Sequence, residues 1–131
     1  MHEQVFTPAI VRDHALYEFG YSLKAGYNSN LFNTLKPDAY DVKRRTIWEL
    51  KPRTWITGSN RTKALKQVLS YTSTATSKSA ENWEAGLSSK LLPLDVKVNQ
   101  YRGDTFYEIT FFKDPIDDRS GLVFYRFKVL N

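Results

Sequence analysis

The stretch KPDAYDVKRRTIWELKP, residues 36–52, contains two short runs of strand-forming residues separated by a basic turn. Its alternation of polar and apolar side chains, broken at the turn, is typical of a β-hairpin. Two acids and a lysine, Asp38, Glu49 and Lys51, stand at strand positions where apolar or β-branched residues would stabilise a sheet better. Stability alone therefore does not explain this hairpin.

The turn sets the register of the hairpin. If Lys43 and Arg44 form a two-residue turn, Asp38 lies directly opposite Glu49, with their Cβ atoms about 5 Å apart. Side chains alternate along a strand, so Lys51 points to the same face as Glu49. A slip of one residue would send these side chains to opposite faces. This register predicts that two carboxylates and one ammonium group converge.

Neighbouring carboxylates repel each other, and a divalent cation between them removes that repulsion. The chain has no cysteine and two histidines, so oxygen ligands are favoured, and these suit Mg²⁺ or Mn²⁺. An adjacent lysine can hold an attacking water or stabilise charge on a phosphoryl group. The three side chains form a minimal set for metal-dependent phosphodiester hydrolysis. Asp41, the competing acid, points to the opposite face near the turn, where we expect it to be solvated or to stabilise the turn.

Positive charge is concentrated around the hairpin. Residues 36–66 contain nine basic and three acidic residues, whereas the net charge of the whole chain is +5. Such a concentration is typical of a surface that binds a polyanion, although a solvated basic face would have the same composition. The basic turn could bind a phosphate backbone or simply keep the hairpin soluble. The candidate nucleic-acid contacts are Lys43, Arg44, Arg45, Arg53 and Lys63.

The rest of the sequence predicts one domain, residues 1–131, of the α/β (α+β) class. The apolar content of 41% is that of a globular protein, and no apolar run reaches the roughly 18 residues of a membrane span. Helix and strand patterns alternate in an order that predicts a central mixed sheet flanked by helices. The predicted helices cover residues 8–25 and 60–78, and the predicted strands cover residues 38–42, 46–51, 94–100, 105–112 and 122–130.

The hairpin resembles a known motif. Pro37-Asp38, followed after ten residues by Glu49-Leu50-Lys51, is similar to the motif of the PD-(D/E)xK nuclease superfamily, which has the restriction-endonuclease-like fold. More narrowly, the stretch resembles nuclease toxin domains of bacterial polymorphic toxins and secretion-system effectors. The resemblance covers roughly residues 33–75 and implies a Mg²⁺-dependent endonuclease. In that family the two acids and the Leu50 carbonyl would hold the metal, and the lysine would orient the water.

Two more candidates come from the same resemblance. Gln67 and Tyr71 match the Q-x-x-x-Y element of recombination nucleases, in which the glutamine would support the lysine or the metal shell. The alternative is that Gln67 is a surface residue and Tyr71 a core residue. The first helix of the family often supplies another acid to the metal, and Glu18 is the candidate here. An ordinary solvated glutamate is the alternative for that position.

The resemblance implies a DNase that is delivered into a competitor cell, acts in the target-cell cytoplasm and is neutralised by a cognate immunity protein. An RNase that cleaves tRNA is the nearest alternative, because both polymers present the same phosphates. A basic domain of this kind could also be a non-catalytic nucleic-acid-binding module or a plain interaction domain. The sequence shows no signal peptide, since no basic region precedes an apolar core at its start.

Overall fold

A computed structural model describes residues 24–25, 32, 35, 37–91, 96–102 and 104–130. These residues form a mixed β-sheet with helices, which confirms the predicted α/β class. The strands are β1 Lys24–Ala25, β2 Ala39–Asp41, β3 Thr46–Pro52, β4 Glu84–Ala85, β5 Val96–Arg102, β6 Thr105–Lys113 and β7 Leu122–Val129. The helices are α1 Gly58–Ser79 and α2 Ser88–Leu91, and a 3₁₀ turn spans Arg53–Trp55.

Strand β3 occupies the middle of the sheet. The strand order is β1-β2-β3-β7-β6-β5, with β4 paired to the start of β3. β3 runs antiparallel to β2 and parallel to β7, whereas β7, β6 and β5 are antiparallel neighbours. The four residues from Ile47 to Leu50 are consequently buried. One of them is Glu49, so an acid occupies an interior position of the central strand.

The hairpin adopts the predicted register. Its strands pair Ala39 with Trp48, Tyr40 with Ile47, and Asp41 with Thr46. Continued by one residue, this register sets Asp38 opposite Glu49, in agreement with the turn pattern. The convergence of the two acids therefore follows from pairing within one hairpin.

The turn itself differs from the prediction. Four residues, 42–45, connect the strands instead of two, and Arg45 takes a left-handed conformation with φ 55°. The Asp41 carboxylate accepts hydrogen bonds from the backbone N–H groups of Lys43 (3.0 Å) and Arg44 (3.2 Å). Asp41 therefore stabilises the turn, which is one of the two roles expected for it. The expectation that it is solvated is wrong, because the residue is 1% exposed.

Helix α1 packs against one face of the sheet, over the central strands β3 and β7. Its prediction over residues 60–78 is confirmed with a shift of at most two residues. Ala64 and Val68 pack with Leu122 and Phe124 of β7, and Ala75 packs with residues of the hairpin. Thr57 is the N-cap residue of α1, and its side chain makes no capping hydrogen bond. No described helix is both long and apolar enough to cross a bilayer.

Two other predictions need correction. Residues 8–23 of the predicted first helix lie outside the described residues, but Lys24 and Ala25 pair with β2 as strand β1, so the predicted helix end at residue 25 is wrong. The alternating sequence of β7 predicts a strand with one wet face. Its first four residues are instead all buried, with α1 packed on Leu122 and Phe124, whereas Arg126 and Lys128 are exposed as predicted.

The turn between β6 and β7, residues 114–121, has the composition of a solvated turn, and at Asp114 that expectation is wrong. The Asp114 side chain is fully buried and accepts hydrogen bonds from Arg61 Nη1 (3.0 Å) and Nη2 (2.7 Å). In the same turn Asp118 accepts hydrogen bonds from the N–H and hydroxyl of Ser89. These carboxylates fasten the turn to helices α1 and α2.

Candidate active site

The structure brings four of the predicted site residues together on the face of the sheet beneath α1. Asp38 directly precedes β2, Glu49 and Lys51 lie in β3, and Gln67 extends from α1. Side-chain contacts link Asp38 to Glu49, Glu49 to Lys51, and Lys51 to Gln67. Glu18, the predicted additional acid, lies outside the described residues.

Two hydrogen bonds tie Asp38 to strand β3, one to the Glu49 side chain and one from the Leu50 backbone. The backbone N–H of Asp38 donates to Glu49 Oε1 at 3.0 Å, and the Asp38 carboxylate accepts from the backbone N–H of Leu50 at 2.7 Å. Strand β2 begins at Ala39, so the carboxylate of the preceding residue, Asp38, takes the place of a backbone acceptor for the Leu50 N–H. Its position is thereby fixed by the central strand.

Ionisation of Glu49 is unfavourable in this position. The residue is 3% exposed, and its burial raises the carboxyl pKa well above its ordinary value, with the negative charge of Asp38 as the second cause. The Asp38 N–H and the Lys51 charge lower the pKa, but they do not outweigh those causes. A cation bound beside both carboxylates would stabilise the ionised form.

The donor set fits a hard divalent cation. Two carboxylates and a nearby backbone carbonyl are the oxygen ligands that Mg²⁺ prefers, and Mg²⁺ commonly takes only one or two carboxylates and keeps several waters. Within the part of the chain that is described, no cluster of three or more histidine, aspartate or glutamate side chains occurs. A site made by Asp38, Glu49 and the Leu50 carbonyl would therefore leave the remaining positions to water or substrate.

Lys51 is held in one orientation by its surroundings. Its Nζ donates to Gln67 Oε1 at 2.6 Å and lies 3.9 Å from Glu49 Oε2. It also lies 5.0 Å from the centroid of the Trp55 ring, within cation–π range. The side chain is 15% exposed, so its ammonium group points into the site and not into solvent. The 3₁₀ turn after β3 folds the half-buried Trp55 back over Lys51.

Gln67 connects the lysine to Tyr71. The amide Nε2 of Gln67 donates to the hydroxyl of Tyr71 at 3.3 Å, while the amide oxygen faces Lys51. Burial, followed by the negative charge of Glu49, raises the pKa of Tyr71. Tyr71 also packs against the core cluster of Tyr40 and Ile47. Tyr71 therefore has the core contacts that one alternative predicted, and it also contacts Gln67.

Comparisons with known proteins do not assign this site. No family model matches the chain, and neither a curated protein nor a solved structure is significantly similar to it.

Tyr125 of β7 is a neighbour that the sequence did not indicate. Burial raises its pKa to about 12, and the charge of Asp38 contributes. The hydroxyl therefore stays protonated near neutral pH. Because β7 follows β3 by about 70 residues and joins it in a parallel pair, no local pattern could place Tyr125 beside the hairpin.

The predicted nucleic-acid contacts are all exposed, but they form two separate groups. Lys43, Arg44 and Arg45 lie in the hairpin turn, which is about 17 Å along β3 from Lys51 at the usual rise per residue. Two of them have carboxylate partners, Arg44 with Asp41 at 3.3 Å and Arg45 with Glu81 at 3.1 Å. The turn is therefore too far from the site to contact a phosphate that is bound at the carboxylates.

Arg53 and Lys63 form the second group. Arg53 begins the 3₁₀ turn two residues after Lys51, and Lys63 lies on α1 one helical turn before Gln67. Both are exposed and both lie on elements that border the site. They are the better placed of the predicted cations for contact with a polyanion at the carboxylates.

Replacing Glu49 with glutamine should raise the melting temperature of the metal-free protein at pH 7–8, by about 2–5 °C. The raised pKa means that protonated Glu49 contributes stability below its ordinary pKa of 4.5, and this contribution is lost as pH rises through the folded-state pKa. Glutamine stays neutral and can still accept the Asp38 N–H bond. Calorimetry in EDTA measures the difference, which should grow from pH 4 to pH 8.

Glu84→Gln is the matched control, because this glutamate is exposed and lies outside the site. Its melting temperature should differ little from wild type at every pH. A Glu49→Gln variant less stable than wild type at pH 8 would show that the ionised carboxylate is satisfied without a cation.

Proposed function

We propose that this protein is a metal-dependent nuclease with a restriction-endonuclease-like fold, which hydrolyses phosphodiester bonds in nucleic acid. The observation that supports the proposal most directly is the position of Lys51. Its ammonium group is fixed by Gln67 within 3.9 Å of a buried carboxylate that itself contacts a second acid. If these charged residues had no catalytic or binding role, apolar residues at the same positions would make the domain more stable.

Each residue has a role in this proposal. Asp38, Glu49 and the Leu50 carbonyl would hold Mg²⁺ or Mn²⁺, with Glu18 as a further candidate ligand. When bound, the metal would supply Lewis acidity and lower the pKa of an attacking water. Lys51 would orient that water or stabilise negative charge on the phosphoryl oxygens. Gln67 is a positioning residue, since it acts through Lys51.

The favoured substrate is DNA, and the favoured biological role is that of an antibacterial effector domain with an immunity protein as partner. The basic surroundings of the hairpin support a polyanionic substrate and offer an acidic inhibitor a complementary surface. An RNase of the same fold would use the same groups. A non-catalytic binding module is less favoured, because burying the Glu49 carboxylate beside Asp38 costs stability and contributes nothing to phosphate binding.

Cleavage assays with plasmid DNA and total tRNA, each in Mg²⁺, Mn²⁺ or EDTA, test the proposal. We expect cleavage of at least one polymer that requires the metal and falls at least about 100-fold in Asp38→Asn. Asparagine keeps the oxygen that accepts the Leu50 N–H bond, so the fold should persist. Asp117→Asn, an exposed aspartate of the β6–β7 turn, is the matched control and should cleave normally.

Each competing function gives a different result in these assays. Mg²⁺-dependent cleavage that survives in Asp38→Asn would reject the site assignment. Binding of nucleic acid in EDTA without cleavage in any metal would favour the binding module. Cleavage of tRNA alone would identify an RNase.

A further inference from the structure

We propose that Arg126 and Arg53 form a phosphate-binding subsite that holds the nucleic-acid backbone next to the candidate active site. The inference rests on the proposed function, and it adds a residue, Arg126, for which the sequence pattern offered no role. It assigns a location and a ligand chemistry: a phosphodiester group of the substrate a few nucleotides from the one that is cut.

The two arginines line a cavity of about 240 Å³ together with Thr110 and Phe112. Thr110 faces Arg126 in the pairing of β6 with β7, so their side chains lie side by side. Both arginines are exposed, whereas Thr110 and Phe112 are half-buried and form the floor. A guanidinium pair above a floor with a hydroxyl can bind the oxygens of a phosphate.

The cavity opens on the same face of the sheet as the catalytic candidates. Lys51 pairs with Phe124 across β3 and β7, so these two side chains share a face. Arg126 follows Phe124 by two positions and therefore points the same way. From the spacing of strands and residues, the Cα atoms of Lys51 and Arg126 lie about 8 Å apart. A nucleic-acid strand covers that distance within a few phosphates, at about 3.4 Å each along the axis.

Helix α1 leaves this part of the face uncovered. It packs on Leu122 and Phe124, and Trp55 and Phe112 border that contact. Beyond Phe124 the strand becomes exposed at Arg126. Trp55 contacts the Lys51 ammonium and, like Phe112, packs against the cluster of Leu122 and Phe124. Arg126 follows on the same face of β7.

The charges of the pair are available to a ligand. In the residues that the structure describes, neither Arg53 nor Arg126 has a carboxylate partner, in contrast to Arg44, Arg45 and Arg61. Two unpaired guanidinium groups close together repel each other and are stabilised by a bound anion. Arg61 stabilises the fold through its ion pair with Asp114. The charges of Arg53 and Arg126 can instead bind phosphate.

Binding of short single-stranded DNA and RNA oligonucleotides in EDTA, followed by fluorescence anisotropy over a range of salt concentrations, tests the subsite without cleavage. Arg126→Gln should weaken binding of both polymers about tenfold at low salt. The slope of log K against log salt should fall by about 0.7, the value for one phosphate contact on a single strand. Under cleavage conditions the same variant should raise KM more than it lowers kcat.

Lys113→Gln is the control for loss of one charge, because Lys113 is exposed on β6 and points to the opposite face of the sheet from Phe112. It should leave affinity and salt slope unchanged. An Arg126→Gln variant that binds like wild type, or a wild-type protein that binds neither polymer, overturns the subsite. Weakened binding by Arg126→Gln in a protein that cleaves nothing supports the subsite and rejects the nuclease.

Discussion

Replacing Lys51 with methionine should lower kcat for nucleic-acid cleavage by about 10²–10³-fold. Lys51 Nζ is held by Gln67 Oε1 at 2.6 Å beside Glu49, so its charge is preorganised next to the position proposed for the reacting phosphate. Methionine keeps the length and the apolar stem of the side chain and can still pack against Trp55. The loss should therefore come from the missing ammonium group and not from unfolding.

Single-turnover cleavage measures this effect, and circular dichroism with thermal melting checks the fold. Because Lys51 acts on charge that develops during the reaction, affinity for DNA in EDTA should change much less than kcat. Lys78→Met, at the exposed end of α1, removes the same charge away from the site and should cleave normally. A Lys51→Met variant with wild-type kcat would remove the lysine from the mechanism.

Replacing Arg61 with methionine should lower the free energy of unfolding at pH 7 by about 3–5 kcal/mol. The Arg61 guanidinium donates two hydrogen bonds to Asp114, whose side chain is fully buried, and a third to the backbone oxygen of Ile56. Removing it leaves a buried carboxylate without its counter-charge. The pair joins α1 to the β6–β7 turn, which lies 53 residues away in sequence.

Urea unfolding is measured for Arg61→Met and for the double variant Arg61→Met/Asp114→Leu. The single variant gives the stability lost when the Asp114 charge is left unpaired, and the double variant gives the net contribution of the ion pair to stability. The double variant should recover much of the lost stability, because apolar replacement of a buried ion pair is often neutral. Arg119→Met, an exposed arginine of the same turn, should change stability by less than about 0.5 kcal/mol. A loss below about 1 kcal/mol for Arg61→Met would show that solvent reaches Asp114.

The pH dependence of this pair has a defined sign. Hydrogen bonds from Arg61, Ser120 and the backbone of Ile116 lower the pKa of Asp114 below its ordinary value of 3.8, although burial opposes them. The stability that the ionised carboxylate contributes is thus present above pH 3.8 and is lost as pH falls through the folded-state pKa. Relative to Arg61→Met/Asp114→Leu, the free energy of unfolding of wild type should therefore decrease as the pH falls below 3.8.

Local sequence is sufficient to specify the hairpin, the convergence of Asp38, Glu49 and Lys51, and helix α1. Each depends on residues close together in the chain, where side-chain alternation, turn residues and helical periodicity act directly. The predicted register is right although the predicted turn length is wrong. A four-residue loop at 42–45 brings together the same pairs as a two-residue turn at Lys43 and Arg44.

Long-range contacts determine which distant groups surround the site. The parallel pairing of β3 with β7 places Phe124, Tyr125 and Arg126 next to Lys51 and Pro52. The packing of α1 on Leu122 and Phe124 helps to bury the first half of β7, although its alternating pattern predicted one wet face. Asp114 likewise has the sequence surroundings of a solvated residue, whereas in the fold it lies against Arg61. Such contacts depend on the burial of apolar surface and the pairing of charge between segments far apart in the chain, and local periodicity carries no information about them.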